Sequence, residues 1–249
     1  MDKNYYEEYF FLERNHWWFK IRLEIIQDLI KKYASKNSKL KILNVGTATG
    51  RTSEILAKFG EVTSVEYDQD CINFTQNKIK IDIVNASILD LPFNDNEFDL
   101  VCAFDVIEHV EDDIKAIKEL NRVCKNNSLI FITVPTFMIL WSEHDDVNHH
   151  YRRYLMKQVL SLFTQIEGAI VKKSYFNTFL FPPILIFRLL SKIIPKKLIR
   201  SGAGSDFTVI KNESIVNKIL FFIFNLERKF LNIFSFPFGV SLFFIFRKN

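Results

Sequence analysis

Cysteine, proline and glycine are scarce in this chain: three, six and seven of 249 residues. Cys71, Cys102 and Cys124 stand far apart with no Cys-x-x-Cys pair, which excludes a disulfide scaffold or a cysteine-built metal site and reads as a reduced, cytoplasmic setting. With so few glycines, the three-glycine dinucleotide fingerprint is not met. No apolar run reaches the roughly 18 residues that cross a bilayer. The start, Met1-Asp2-Lys3-Asn4-Tyr5-Tyr6-Glu7-Glu8, is acidic and aromatic, unlike an ordinary secretory signal. Also missing is the basic face with aromatic or RNA-module motifs that nucleic-acid binders carry, so no nucleic-acid partner is expected. What is present is apolar mass: 48% of the residues are hydrophobic, enough for one large α/β domain with an elaboration.

The stretch Leu43-Asn44-Val45-Gly46-Thr47-Ala48-Thr49-Gly50-Arg51 runs an apolar strand into a small-residue turn and then a helix. Such turns receive nucleotide-like ligands, because glycine lets the backbone approach closely and the N–H groups of the next helix face the crevice. A helix over 53–58 leads to a second strand, Val62-Thr63-Ser64-Val65, ending in Glu66. A carboxylate about twenty residues past the glycines suits a ribose diol. Ala48 stands where the dinucleotide fingerprint places glycine, which weakens a dehydrogenase reading.

Residues 81–84 read as a third strand, and 85–93 as a loop ending Asp90-Leu91-Pro92-Phe93. Phe98-Asp99-Leu100-Val101-Cys102-Ala103 reads as a fourth, followed by Phe104-Asp105-Val106-Ile107-Glu108-His109-Val110. A glycine turn, an acidic second strand end, a Leu-Pro-Phe loop and a Glu-His-Val segment, in that order, resemble the class I S-adenosylmethionine-dependent methyltransferases over residues 40–176 and the last strand. The resemblance implies an α/β fold: a three-layer, Rossmann-like, seven-stranded sheet with an antiparallel last strand, an N-terminal helical cap and a helical insertion before that strand. It implies S-adenosylmethionine as cofactor and S-adenosylhomocysteine as product. Gly46, Thr47, Ala48 and Gly50 would then pass under the methionine part and Glu66 would hold the ribose hydroxyls. Tyr67, Ser87 and Ile88 would lie beside the adenine. Phe104 and Ile107 would face the methionine end, or else be plain core. Asn44 and Ser87 stand where the family often has carboxylates, which makes the pocket less acidic than usual. The chain further resembles a bacterial and archaeal group with a tryptophan-rich start, an Arg-Arg-Tyr segment and a stretch like Phe176-Asn177-Thr178-Phe179-Leu180-Phe181-Pro182-Pro183. Of the adjacent Trp17 and Trp18, one packs on the domain and the other, Trp18, is expected over the cofactor crevice, with plain core packing of the helix as the alternative.

After a fifth strand, Leu129-Ile130-Phe131-Ile132-Thr133-Val134-Pro135, the segment 141–154 gathers histidine, acid and arginine. Methyl transfer needs an aligned nucleophile and, for an oxygen or nitrogen acceptor, removal of its proton, work suited to a histidine of near-neutral pKa. His144 and His149 are the candidate bases, and His109 reads as structural. Arg152, Arg153 and Tyr154 are candidate acceptor contacts, a guanidinium fork suiting a carboxylate or phosphate. Salt bridges to the acids just upstream are the alternative for both arginines. Glu143, His144, Asp145, Asp146, His149 and His150 offer metal-ligand atoms but match no ligand spacing, so no metal is expected.

The net charge of +4 is local in origin: between Gly168 and Ser205 stand seven basic residues and no acidic one. Ile184, Phe187, Leu190 and Ile194 share one helical face, with Arg188, Ser191, Lys192 and Lys196 on the other, a basic amphipathic helix. A second helix over 214–234 keeps only a narrow polar stripe, so packing, a second subunit, a membrane surface or a lipid-like substrate must cover it. Residues 169–176 and 240–246 read as the sixth and seventh strands. The expected organisation is a helical cap (1–36), a cofactor-binding core (37–176), a helical insertion (177–237) with a hinge at Gly202-Ala203-Gly204-Ser205, and the last strand (238–249). The expected function is methyl transfer from S-adenosylmethionine to a small-molecule or lipid-like acceptor, with peripheral membrane contact or a homodimer through 177–237. The alternative is a catalytically inactive cofactor-binding protein that docks on a partner or membrane.

Overall fold

The structure, a computed structural model, describes residues 5–34, 39–191 and 214–249. The elements run α1 (Tyr6–Asn15), α2 (Trp17–Tyr33), β1 (Leu40–Val45), α3 (Arg51–Leu56), β2 (Gly60–Glu66), α4 (Gln69–Lys78), β3 (Ile83–Asn85) and β4 (Phe98–Phe104). There follow α5 (Asp113–Val123), β5 (Cys124–Pro135), α6 (Glu143–Val147), α7 (Met156–Phe163), β6 (Gly168–Phe176), α8 (Phe181–Ser191), α9 (Ile215–Leu231) and β7 (Ser241–Lys248). The strands form one sheet in the order β3-β2-β1-β4-β5-β7-β6. β7 runs antiparallel to both β5 and β6, and the other pairs are parallel.

Strand alternation sends successive side chains to opposite faces and so builds two cores. Leu43, Val101, Ile130 and Phe244 meet Ile117 and Leu120 of α5 and Val159 of α7 on one face. Their neighbours Ile42, Leu100, Phe131 and Phe243 meet Ile21, Ile25 and Leu29 of α2 and Phe224 of α9 on the other. α2 is therefore a layer of the sandwich as well as part of the N-terminal cap, because its apolar stripe is spent on the sheet. α1 lies outside that layer.

α9 closes the same layer. Its Phe224 ring meets Trp17 edge-on, with centres 5.8 Å apart, and Arg228 donates to Asp28 at 2.7 Å and to Glu24. Packing thus covers one face of the helix, while Ile215, Val216, Ile219 and Phe222 of the other stay exposed. α8 departs from expectation at Arg188 and Leu190. Arg188 is buried and donates to the Leu140 carbonyl at 2.6 Å, whereas Ile186, Leu189 and Leu190 are exposed. The buried Asp145 carboxylate 3.9 Å away accounts for the inward arginine. Lys192, Ile194, Lys196 and the expected hinge lie outside the described residues. Among the described residues, no helix is long and apolar enough to cross a membrane.

Candidate active site

A cavity of about 830 Å³ opens along the C-terminal ends of β1, β2 and β4, where the strand order reverses. Gly46, Ala48, Glu66, Ser87 and Ile88 line one end, and His109, His144, His150 and Arg153 the other. Trp17, Trp18 and Phe19 enter from α2, and Phe104 also contributes to the wall.

The turn after β1 is built by positive φ angles at Gly46 (+71°), Ala48 (+45°) and Gly50 (+85°). A Cβ on Gly46 would lie 2.5 Å from Val106 Cγ2, and one on Gly50 2.5 Å from Ile79 Cδ1. The left-handed angles thus favour glycine at both positions, with Val106 crowding Gly46 as well, and Gly50, expected against the cofactor, is a packing residue outside the wall. Thr47 and Ile107 are likewise buried outside it. The Thr47 hydroxyl bonds Ser53 Oγ at 2.6 Å, Ser53 bonds Ser64 at 2.8 Å, and Asn44 Nδ2 donates to Ser53 Oγ at 2.8 Å. A neutral amide at residue 44 completes this hydroxyl network without burying a charge. Glu66 accepts from the backbone N–H groups of Ala48 (2.9 Å), Tyr67 (2.9 Å) and Asp68 (3.1 Å). A carboxylate has about four acceptor sites, so capacity remains toward the cavity. The Tyr67 ring sits at the rim, 76% exposed.

The cover is pinned at three points that the sequence did not reveal. Tyr6 donates to Asp68 at 2.5 Å, the buried Glu13 accepts from the Thr49 hydroxyl, and Arg22 donates to Asp105 at 2.5 Å. α1 and α2 are thereby tied to β2, the glycine turn and β4. Burial pushes the Glu13 carboxyl up to about 7, against the Thr49 hydrogen bond that favours its charge.

At the far end, Asp145 is fully buried and accepts from Arg153 Nε (2.8 Å) and a second guanidinium nitrogen (2.9 Å), with His150 Nδ1 2.8 Å away. Burial raises the Asp145 carboxyl, but His150 and Arg153 outweigh it and hold the group below the usual carboxylate range. Arg153 is thus committed to Asp145, which corrects its expected role as an acceptor grip. Arg152 donates to Asp113 (2.8 Å) and the Glu111 carbonyl (2.8 Å), and Tyr154 to Asp113 (2.9 Å). Neither lines the cavity; both hold the loop down. His149, at φ +55°, is exposed and outside the wall, while its neighbour His150 lines it. His144 does line the cavity, but burial pushes its imidazole down to about 3. Such a group is protonated about one part in ten thousand at pH 7, so it is a weak base.

Glu108 is fully buried, and neither carboxylate oxygen finds a partner beyond its own backbone. Glu108, His109 and His150 each offer one ligand atom, all within 4.8 Å of one another. This is not the acidic set weighed from the sequence, because residues 108 and 109 follow β4 whereas 150 follows β5. Their meeting is a product of the fold.

A methyltransferase-domain family model matches residues 43–132. The chain is 30% identical over 177 residues to an uncharacterized protein of Methanocaldococcus jannaschii, covering 71% of this chain and 73% of that one. It is 24% identical over 126 residues to a probable S-adenosylmethionine-dependent methyltransferase of Mycobacterium tuberculosis, half of this chain, and spans only 44% of that relative's length. Among solved structures, an S-adenosylmethionine-dependent methyltransferase of Thermotoga maritima superposes with a TM-score of 0.58 over 99% of this chain and 96% of its own, at 13% identity. That structural likeness carries the fold alone. The sequence relatives and the matched segment carry the family: the chain belongs to the class I S-adenosylmethionine-dependent methyltransferases.

Proposed function

We propose that this protein transfers a methyl group from S-adenosylmethionine to a small, largely apolar acceptor held in the same cavity. Continuity of the cavity carries the reading. One space runs from Glu66 past Phe104 to the histidines and on to Leu180, Ile184 and Phe187. Its volume lies near the top of the roughly 300–1,000 Å³ typical of ligand sites, which suits two ligands end to end. The glycine end fits the cofactor: Glu66 keeps acceptor capacity, and the backbone at Gly46 and Ala48 reaches the wall with little side chain to cover it.

When bound, the cofactor supplies an electrophilic methyl group on a sulfonium. Glu66 holds the ribose hydroxyls, Ser87 and Ile88 border the base, and Tyr67 is placed to lie over it. Trp18 and Phe19 exclude water from the reacting end. His144, kept neutral, accepts a hydrogen bond from the acceptor and orients it. Calorimetry with S-adenosylmethionine, S-adenosylhomocysteine and NAD tests the cofactor. We expect micromolar binding of the first two, weakened at least about tenfold in Glu66→Ala, which is about 1.4 kcal/mol. Binding of NAD alone, or of nothing, would overturn the proposal. Tight binding without methyl transfer to any of a broad acceptor panel would favour the inactive, cofactor-binding alternative.

A further inference from the structure

We propose that Glu108, His109 and His150 form a site for one divalent metal ion such as Zn²⁺ on the cavity wall, with its open coordination positions facing the acceptor. Two imidazoles and a carboxylate are a donor set that borderline-soft divalent ions take, and three protein ligands with a vacant position make an open site, not a closed structural one.

Three observations support it independently of the spacing. First, Glu108 is fully buried, and both its oxygens are without partner beyond their own backbone. The nearby cations do not hydrogen-bond it, because Arg22 is engaged by Asp105 and Arg153 by Asp145. A bound cation would give its oxygens a partner.

Second, both imidazoles are already oriented. His150 places Nδ1 2.8 Å from Asp145 Oδ1, so the proton sits there and Nε2 presents its lone pair. The His109 ring hydrogen-bonds the Asn148 backbone. Histidines that ligate metals are held in this way, one ring nitrogen on a carboxylate or carbonyl and the other on the ion. The rings stand 4.5 Å apart and nearly perpendicular, at 82°. Asp145 is in turn fixed by both arms of Arg153, so the support is rigid.

Third, all three ligands line the cavity. An ion there meets whatever occupies the space between the glycine end and α8. This assigns the acceptor atom: a hydroxyl oxygen on the ion gives up its proton to water at lower pH than a free one. The assignment of the acceptor rests on the proposed methyl transfer; the metal site itself does not.

The test is a Co²⁺ titration of the tag-free, chelator-stripped full chain, followed by visible absorption, with S-adenosylhomocysteine calorimetry on the same samples. The expected result is one Co²⁺ per chain with an absorption band that Zn²⁺ displaces. The band should be absent in Glu108→Gln and in His150→Ala, and affinity should fall about 10- to 100-fold in Asp145→Asn. Retained S-adenosylhomocysteine binding shows that each variant is folded. A wild-type chain that binds S-adenosylhomocysteine but gives no Co²⁺ band, or a band unchanged in both ligand variants, overturns the site. A Co²⁺ band without cofactor binding leaves the site standing and overturns the methyltransferase reading instead.

Discussion

Gly46 meets two constraints at once, a φ of +71° and a Val106 methyl 2.5 Å from where a Cβ would sit. The first costs an L-residue roughly 1–2 kcal/mol, and the second adds overlap in a packed site. Gly46→Ala is therefore expected to lower the urea midpoint of unfolding, and Gly46→Ala with Val106→Ala should recover only the steric part. A double variant as stable as the single Val106→Ala would show that the backbone angle carries no cost. Spacing pointed to this turn and to Glu66, because the motif ties them to strand ends, and the family resemblance pointed to Ser87 and Ile88. It could not say that Arg153 faces Asp145 eight residues upstream, since several acids share that segment and only the fold buries one of them. Nor could it find Glu13, whose partner Thr49 lies 36 residues away.

The turn between β6 and α8 is held from a distance by α9. Glu227 accepts from the backbone N–H groups of Thr178 (2.7 Å) and Phe179 (2.8 Å) through one oxygen, while the other is buried without a partner. Burial pushes its carboxyl up to about 7, against those two bonds. The folded chain therefore binds this proton more tightly than the unfolded one. Its carboxyl costs nothing below about pH 4.5, and the cost grows as pH rises to 7, reaching about 3 kcal/mol before levelling. Glu227→Gln keeps an acceptor for the turn and removes the charge. Its melting temperature should exceed that of the parent at pH 8 and converge with it at pH 4; an advantage that grew toward acid would contradict this account. At this scale the strands were legible as short apolar runs, and the two helices between β6 and β7 from their periodicity. Periodicity marks which face of a helix is apolar but not what meets it. That is why the stripe of α2 left core packing and a place over the crevice both open, and why α8 turned Arg188 in and Leu190 out.

Across the whole molecule, the exposed Ile219 and Phe222 of α9 and Ile186 and Leu189 of α8 follow the same helices as the cavity-lining Leu220 and Phe187. Besides the buried Arg188, the sequence around α8 carries six basic residues and no acid. An acceptor drawn from an anionic lipid surface fits both facts. Flotation with anionic vesicles should carry the protein upward, and Ile219→Ser with Phe222→Ser should abolish it; a wild-type chain that stays with the dense fraction would rule this out. The sheet order has a different consequence, for biosynthesis. β7 lies between β5 and β6, yet emerges from the ribosome roughly 60 residues after β6, which at 5–20 residues per second is on the order of several seconds. Through that interval the apolar edge of β5, from Leu129 to Pro135, has no strand to pair with. A nascent chain stalled there exposes a template for aggregation, so dependence on chaperones should be concentrated in the interval between synthesis of β6 and of β7.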